Sequence, residues 1–155
     1  MFMYLKNFVD WFKIKLHLDN QNHKPPLVHE GEIWWCRLGE NVGVEISGKG
    51  INYTRPVIIH TKFSKYLFLV IPTTTKLYFS DGKAKEGNRF VKFSHSGLIM
   101  LACLSQIRVI DYRRIKNKLG DLDQKDFADV SHAFDILFSK NKSPISRGAW
   151  DNPKY

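Results

Sequence analysis

The spacing of apolar residues near the start of the chain predicts an amphipathic helix over residues 3–17. The apolar positions recur at three- and four-residue intervals along one helix face: Leu5, Phe8, Val9, Phe12 and Leu16. Because aromatic stripes at this spacing usually belong to a core, we expect the helix to dock through this face against its own chain or a partner. A helix lying on anionic lipid is the alternative, since several lysines lie off the stripe.

The segment DNQNHKPPLVHEG follows this helix, and its polar composition and double proline predict a linker. At the other end of the chain, residues 140–155 lose all periodicity and predict a tail. We therefore expect three parts: a helical extension with its linker over residues 1–30, a compact domain over residues 31–139, and a C-terminal tail over residues 140–155.

Short apolar runs recur about every ten residues across residues 31–112, with no long helix between them. The runs are GEIWWCRL, RPVIIHTKF, KYLFLVIP, RFVKF, GLIMLA and QIRVIDY. The stretch LYFSDGKAKEGNRFVKF is typical of a hairpin, with Asp81-Gly82 as its turn and Gly87-Asn88 as a second turn signal. Several runs are continuous rather than alternating, which indicates strands buried on both faces. The pattern predicts a small barrel or sandwich.

A second helix is predicted to begin after Asp123, which is suited to cap it. Asp126 then lies in the first turn, where a negative charge is favourable. We expect the buried stripe of this helix to consist of Phe127, Val130, Phe134, Leu137 and Phe138.

The charge balance implies a polyanionic partner. The chain of 155 residues holds 24 Lys and Arg against 15 Asp and Glu, a formal net charge of +9. A positive field of this size suits nucleic acid, an acidic protein or a membrane surface. A basic but inert surface is the alternative.

Several kinds of site find no support. Cys36 and Cys103 each lie inside an apolar run, so we expect buried thiols rather than a disulfide or a zinc site. The six histidines show no metal-ligand spacing, and we expect no metal and no cofactor. No uncharged apolar run reaches the ~18 residues of a membrane span. The N-terminal stretch lacks a signal-peptide cleavage site, so we expect a cytoplasmic protein.

The loop in GVEISGKGINYTRPVII resembles a nucleotide-binding loop only in part. Gly43 and Gly48 have the required spacing with Lys49 next, but Gly50 stands where a Ser or Thr would hold magnesium. A strand beginning at Pro56 also follows instead of a helix. The exposed backbone N–H groups and Lys49 remain suited to an anion.

Arg55 lies between this loop and the following strand, so we expect an ordered guanidinium that faces the loop. Its planar fork of donors suits bidentate phosphate binding, although a solvated loop arginine is the alternative. The next strand ends in Thr73, Thr74 and Thr75, whose side chains alternate in direction. One of these hydroxyls is a candidate donor to a phosphate, and β-propensity alone is the alternative.

The stretch DYRRIKNKLG carries four cations within six residues. It is typical of a nucleic-acid backbone contact, with Tyr112 available for stacking. A solvated basic turn before the last helix is the alternative.

Six of these stretches, in this order, resemble the MazF/PemK family of toxin endoribonucleases from bacterial toxin–antitoxin pairs. They are GEIWW from Gly31, GVE from Gly43, RPVII from Arg55, IPTT from Ile71, LSQIRVID from Leu104 and KLG from Lys118. The resemblance covers about residues 31–138. It implies an SH3-like small β-barrel with a C-terminal helix (α+β), assembled as a homodimer, with the N-terminal amphipathic helix as an addition.

The same resemblance implies metal-independent cleavage of single-stranded RNA and neutralisation by a cognate antitoxin. By motif, Arg55 and Thr74 correspond to the family's catalytic pair, and Glu45 is the candidate general base. The substrate groove is then expected to include Gln106, Ser105, Thr75, Lys49 and Lys76. The loop from Glu45 to Arg55, the N-terminal extension and the C-terminal tail depart from the minimal toxin.

Two other functions stay open from the sequence. A non-catalytic member of the same barrel superfamily would bind a protein, as the gyrase-poisoning toxins do. A plain nucleic-acid-binding module would bind RNA without cutting it.

Overall fold

The computed structural model of the protein describes residues 6–139. Its helices are α1 (Phe8–Asp19) and α2 (Gln124–Phe138). Its strands are β1 (Glu32–Arg37), β2 (Thr54–Lys62), β3 (Leu67–Thr74), β4 (Phe90–His95), β5 (Leu98–Cys103), β6 (Arg108–Asp111) and β7 (Ile115–Asp121). Short 3-10 turns at Leu104–Gln106 and Tyr112–Arg114 flank β6. The fold is mainly β with two helices, as the pattern predicted.

The strands form one curled antiparallel sheet in the order β4-β5-β3-β2-β1-β7. Strand β3 pairs with β2 along one edge. On its other edge the first half of β3 pairs with β6 and its last residues pair with β5. Because one strand serves two partners along the same edge, the sheet curls into a half-barrel.

The middle strands are buried on both faces, which confirms the prediction from their continuous apolar runs. Val57, Ile58 and Ile59 are all fully buried. Side chains alternate along a strand, so Val57 and Ile59 enter the core inside the curl. Ile58 instead joins Ile71 in a second core, against which α2 packs.

Helix α2 begins as predicted. The Asp123 carboxylate accepts a hydrogen bond from the Asp126 backbone N–H at 2.7 Å, which caps the helix. Val130 is fully buried, and most of the predicted stripe packs around it in the second core. Phe138 was predicted to be buried but is 51% exposed, because it lies in the last helical turn, beyond the sheet's cover.

Helix α1 is present, but it does not pack against the rest of the chain through the predicted apolar stripe. Within the described residues the stripe is exposed at Phe8, Val9, Phe12 and Leu16. Trp11 and Leu18 are buried instead, and they share one face because seven residues make two helical turns. The indole of Trp11 packs directly on Gly39, and it fits there because a glycine has no side chain.

The predicted linker has no regular structure, yet it is fastened to the barrel. Val28 is fully buried in the first core. The Lys62 Nζ donates to the Val28 carbonyl at 3.0 Å, and the Tyr112 hydroxyl donates to the His23 carbonyl at 2.8 Å. Tyr112 is therefore buried and not available for stacking on a base. The predicted tail over residues 140–155 lies outside the described residues.

The basic stretch after Asp111 contributes strand β7 rather than a solvated turn. Lys118 on β7 forms ion pairs of 2.9 Å with both Glu32 and Asp121. Arg113 pairs with Asp111 at 2.8 Å. These cations are thus partly neutralised by the protein's own carboxylates. No helix within residues 6–139 is long and apolar enough to cross a membrane.

Candidate functional site

The antiparallel pairing of β2 and β3 brings Arg55 and Thr74 together. The register aligns Val57 with Pro72, so two residues further along Arg55 lies opposite Thr74. Both residues line one pocket of about 430 Å³. Sequence positions that are 19 residues apart therefore share one wall because of strand register.

The Arg55 guanidinium is held on one side and open on the other. Its Nε donates to the Ser47 carbonyl at 2.9 Å, and its Nη1 donates to the Thr73 carbonyl at 3.1 Å. Among the described residues Nη2 has no hydrogen-bond partner. Burial lowers the pKa of Arg55 from its ordinary value. The geometry leaves an oriented cationic donor facing the pocket.

Thr74 presents a hydroxyl beside it. The residue is only 5% exposed, and it still lines the pocket. Its Oγ1 accepts a hydrogen bond from the Lys76 backbone N–H at 3.1 Å. Because Oγ1 is an acceptor there, its own proton stays available for donation into the pocket. Thr73, in contrast, donates its hydroxyl to the Pro56 carbonyl at 2.9 Å.

The pocket is strongly cationic. Five of its described lining residues carry positive charge and none is acidic: Lys49, Arg55, Lys76, Lys85 and Arg89. Burial is the first cause that lowers the pKa of Lys49, and the charges of Arg55, Lys76 and Lys85 lower it further. Burial likewise lowers the pKa of Lys85. A cluster of mutually repelling cations favours the binding of an anion.

An apolar wall completes the pocket, and the sequence analysis missed it. The rings of Phe79 and Phe90 meet edge to face with centroids 5.9 Å apart. The Lys85 Nζ lies 5.4 Å from the Phe79 centroid, and the Arg89 guanidinium carbon lies 5.6 Å from that of Phe90. These residues belong to the stretch that was predicted as a hairpin but not as part of the site. Its run of cations beside two phenylalanines was the available signal.

Cys103 also lines this pocket and was not predicted there. Burial raises the pKa of its thiol to about 11, so the thiol is neutral at physiological pH. Since the thiolate is the nucleophilic form, Cys103 is inert at that pH. Both cysteines are buried and free, as the apolar runs predicted.

The other predicted groove residues differ in where they lie. Ser105 and Gln106 line the pocket, together with Lys49 and Lys76. The Gln106 side chain is occupied by the loop, since Oε1 accepts from the Ile46 N–H and Nε2 donates to the Val44 carbonyl, each at 3.0 Å.

Glu45 and Thr75 are not among the residues that line this pocket. Glu45 is exposed and lines an adjoining pocket of about 340 Å³ that shares Ser105 and Gln106. Its carboxylate accepts from the Val42 N–H at 3.0 Å, which caps the loop. Thr75 is exposed on the strand end. Within residues 6–139 no three His, Cys, Asp or Glu side chains cluster as metal ligands.

Comparison with solved structures shows a shared fold. An endoribonuclease from mycobacteria, solved with its cognate antitoxin, is 11% identical with a TM-score of 0.53, over 76% of this chain and 100% of that one. MazF from Deinococcus radiodurans is 19% identical with a TM-score of 0.55, over 72% of this chain and 96% of its own. The toxin MazF-mt6 from Mycobacterium tuberculosis is 15% identical with a TM-score of 0.50, over 69% and 95%.

None of the curated protein sequences matches this chain. The sequence model of PemK-like, MazF-like toxins of type II toxin–antitoxin systems matches residues 29–138, which is most of the chain and includes the whole pocket. The chain therefore belongs to the PemK-like, MazF-like family of type II toxins.

Proposed function

We propose that the protein is a metal-independent endoribonuclease that cleaves single-stranded RNA in the cationic pocket. The observation that carries the proposal is the free edge of the Arg55 guanidinium beside the Thr74 hydroxyl, in a pocket whose described lining holds no acidic residue. A site of this kind attracts an anion such as a phosphodiester.

In the proposed reaction the RNA supplies its own nucleophile. The 2′-oxygen bonds to the adjacent phosphorus and loses its proton to solvent, while the P–O5′ bond breaks and the 5′-oxygen takes up a proton. The products are a 2′,3′-cyclic phosphate and a 5′-OH end. Negative charge grows on the non-bridging oxygens in the transition state, so donors aimed there accelerate the step. We assign those donors to Arg55 and Thr74.

The remaining lining residues fit the binding of an unpaired strand. Lys49, Lys76 and Lys85 offer charges to neighbouring phosphates, and Phe79 with Phe90 offers an aromatic surface to an unstacked base. Glu45 has no step in this proposal, because it is exposed and lines the adjoining pocket. A duplex keeps its bases stacked and is expected to be a poor substrate.

Partners follow from the same proposal. We propose a cognate antitoxin, a homodimer and a cytoplasmic location. The antitoxin is supported by the family of the chain, and the formal net charge of +9 suits an acidic partner.

The proposal is tested by incubating the purified protein with single-stranded RNA in EDTA and identifying the new ends. We expect 2′,3′-cyclic phosphate and 5′-OH ends, and no cut where the scissile ribose is replaced by 2′-deoxyribose. Cleavage of the deoxy substrate, or 5′-phosphate ends, would contradict 2′-OH attack. Binding without any cleavage would instead favour a nucleic-acid-binding module.

Replacing Lys85 with methionine is expected to weaken binding of a non-cleavable single strand and to flatten its dependence on salt. Each phosphate contact that is lost reduces the slope of log K against log salt by about 0.7 for single strands. The measurement is fluorescence anisotropy at several salt concentrations. Lys65→Met is the matched control, because Lys65 is exposed in the turn at the opposite end of β2 and β3. Equal slopes for both variants would show that Lys85 does not contact an RNA phosphate.

A further inference from the structure

The N-terminal helix lies outside the family-matched residues 29–138, yet it contacts the loop beside the pocket. Trp11 is 7% exposed and packs on this loop. A Cβ at Gly39 would lie 2.2 Å from the indole, so the ring rests directly on the Gly39 backbone. The ring centroid of Trp11 also lies 5.7 Å from that of Tyr53, at the other end of the loop.

Polar contacts at the start of α1 hold the same loop. The Lys6 ammonium donates to the carbonyls of Asn41 and, at 3.1 Å, of Gly43. The Tyr53 hydroxyl donates to the Asn7 carbonyl at 3.3 Å. The helix therefore holds both ends of the loop that spans residues 39–53.

Hydrogen bonds within the loop lead from this face to the pocket. The Gly48 N–H donates to the Gly39 carbonyl at 2.8 Å. The Asn41 N–H donates to the Ser47 Oγ at 2.9 Å. The Ser47 carbonyl then accepts from Arg55 Nε at 2.9 Å. Trp11 is thus connected to the guanidinium by a short series of packed and hydrogen-bonded groups.

We propose that α1 is a positioning element for Arg55, with Trp11 as its central residue, an inference that rests on the proposed function. Trp11 fixes Gly39, Gly39 fixes the residues next to Ser47, and the Ser47 carbonyl orients the guanidinium so that its free edge faces the phosphate. A preorganised donor costs nothing to orient during the reaction, whereas a mobile one loses much of its effect.

The test compares Trp11→Ala with Phe12→Ala in the full chain. Phe12 is the next residue along α1, about 100° around the helix axis from Trp11, and it is 59% exposed, so its loss leaves the loop contacts in place. Since a misplacement of about 1 Å costs up to ~100-fold in rate, we expect Trp11→Ala to lower kcat by about 10- to 100-fold with little change in KM. Trp11→Phe is expected to restore most of kcat, and Phe12→Ala to match the parent.

Hydrogen exchange gives a second readout that does not depend on cleavage. The amides of Ile46 and Gly48 are hydrogen-bonded within the structure, so they exchange slowly while the loop is held. We expect faster exchange over residues 44–48 in Trp11→Ala, and parent-like exchange in Phe12→Ala. Should Trp11→Ala not fold, Lys6→Met removes only the two carbonyl contacts of an ammonium group. Lys6→Met is expected to raise the exchange rate of the same residues and to lower kcat by less than Trp11→Ala does.

Two results would overturn the inference. Trp11→Ala and Phe12→Ala with the same kcat and the same exchange would show that α1 does not hold the loop. Faster exchange with an unchanged kcat would show that the loop does not position Arg55. If the parent protein binds RNA without cutting it, the proposed function fails separately. The exchange data of Trp11→Ala then still decide whether α1 holds the loop.

Discussion

Arg55→Ala is expected to slow RNA cleavage by about 10²- to 10³-fold while the barrel stays folded. Removing one preorganised donor to an oxyanion typically costs about 2.7–4 kcal/mol of transition-state stabilisation. In the proposed reaction Arg55 supplies both a donor and a charge at the point where the phosphate gains negative charge. The Arg55 guanidinium donates to two backbone carbonyls, those of Ser47 and Thr73. The pairing of Val57 with Pro72 does not use this side chain, so it is expected to persist in Arg55→Ala.

The measurement is the single-turnover cleavage rate of a single-stranded RNA in EDTA, with a thermal melt as the check on folding. Arg55→Lys serves as the comparison, since it keeps the charge and loses the planar fork. A single ammonium group cannot replace the guanidinium's donors to Ser47 and Thr73 and reach the phosphate as well. We expect Arg55→Lys to be almost as slow as Arg55→Ala. Cleavage by Arg55→Ala within about threefold of the parent would rule out Arg55 as the donor.

Glu32→Gln is expected to lower the free energy of unfolding at pH 7 by as much as about 3 kcal/mol. Glu32 is 4% exposed and accepts from the Trp34 Nε1 at 2.8 Å, the Lys118 Nζ at 2.9 Å and the His29 N–H at 2.9 Å. Burial on its own would raise the pKa of this carboxyl, but these hydrogen bonds outweigh burial and lower the pKa from 4.5 to about 2. Each pKa unit corresponds to about 1.4 kcal/mol, so the lowered pKa of Glu32 limits the expected loss in the free energy of unfolding to about 3 kcal/mol.

The sign of the pH dependence follows from this lowered pKa. The ionised Glu32 contributes its full stabilisation above pH 4.5, where the unfolded chain is also ionised. That contribution is lost as the pH falls through about 2, the pKa in the folded state. The difference between parent and Glu32→Gln is therefore expected to shrink between these two values.

Urea unfolding followed by tryptophan fluorescence, from pH 7 down to pH 2, measures this difference. Glu86→Gln is the control, because Glu86 is exposed and makes no hydrogen bond or ion pair among the described residues. It is expected to stay within about 0.5 kcal/mol of the parent at every pH. Parallel pH curves for the parent and Glu32→Gln would mean that the cluster around Glu32 does not stabilise the fold.

Most strands of the sheet could be predicted from the sequence, because a strand is specified by the apolar pattern of a few consecutive residues. The runs that became β2 and β3 each contain an uninterrupted apolar segment, residues 56–59 and 67–72, and the structure buries their middle residues on both faces. Asp123 is placed one residue before α2 and caps it as predicted. Strand β7 was missed, since its sequence IKNKLGD is mostly polar and exposed. It is a strand because β1 offers it a hydrogen-bonding edge, and Lys118 reaches the buried Glu32.

The candidate site was predicted in part. Arg55 and Thr74 were found from motifs, and Ser105, Gln106, Lys49 and Lys76 do lie around the same pocket. Lys85, Arg89 and the two phenylalanines were missed because a hairpin can fold toward a site or away from it with the same turn. Glu45 was assigned to the site by its match to a family motif, but its carboxylate accepts from the Val42 N–H and the residue lines the adjoining pocket.

The sequence by itself determined most of the strands with their buried residues, the cap of α2, the turns, the positive charge and the motifs that identify the family. These follow from side-chain period and backbone geometry over a few residues. Only the tertiary structure decided which face of α1 is buried and how five cations converge. The indole of Trp11 could bury itself only where Gly39, 28 residues away, lacks a Cβ. Such a fit depends on the shapes of two distant surfaces, and no local pattern of hydrophobic residues contains that information.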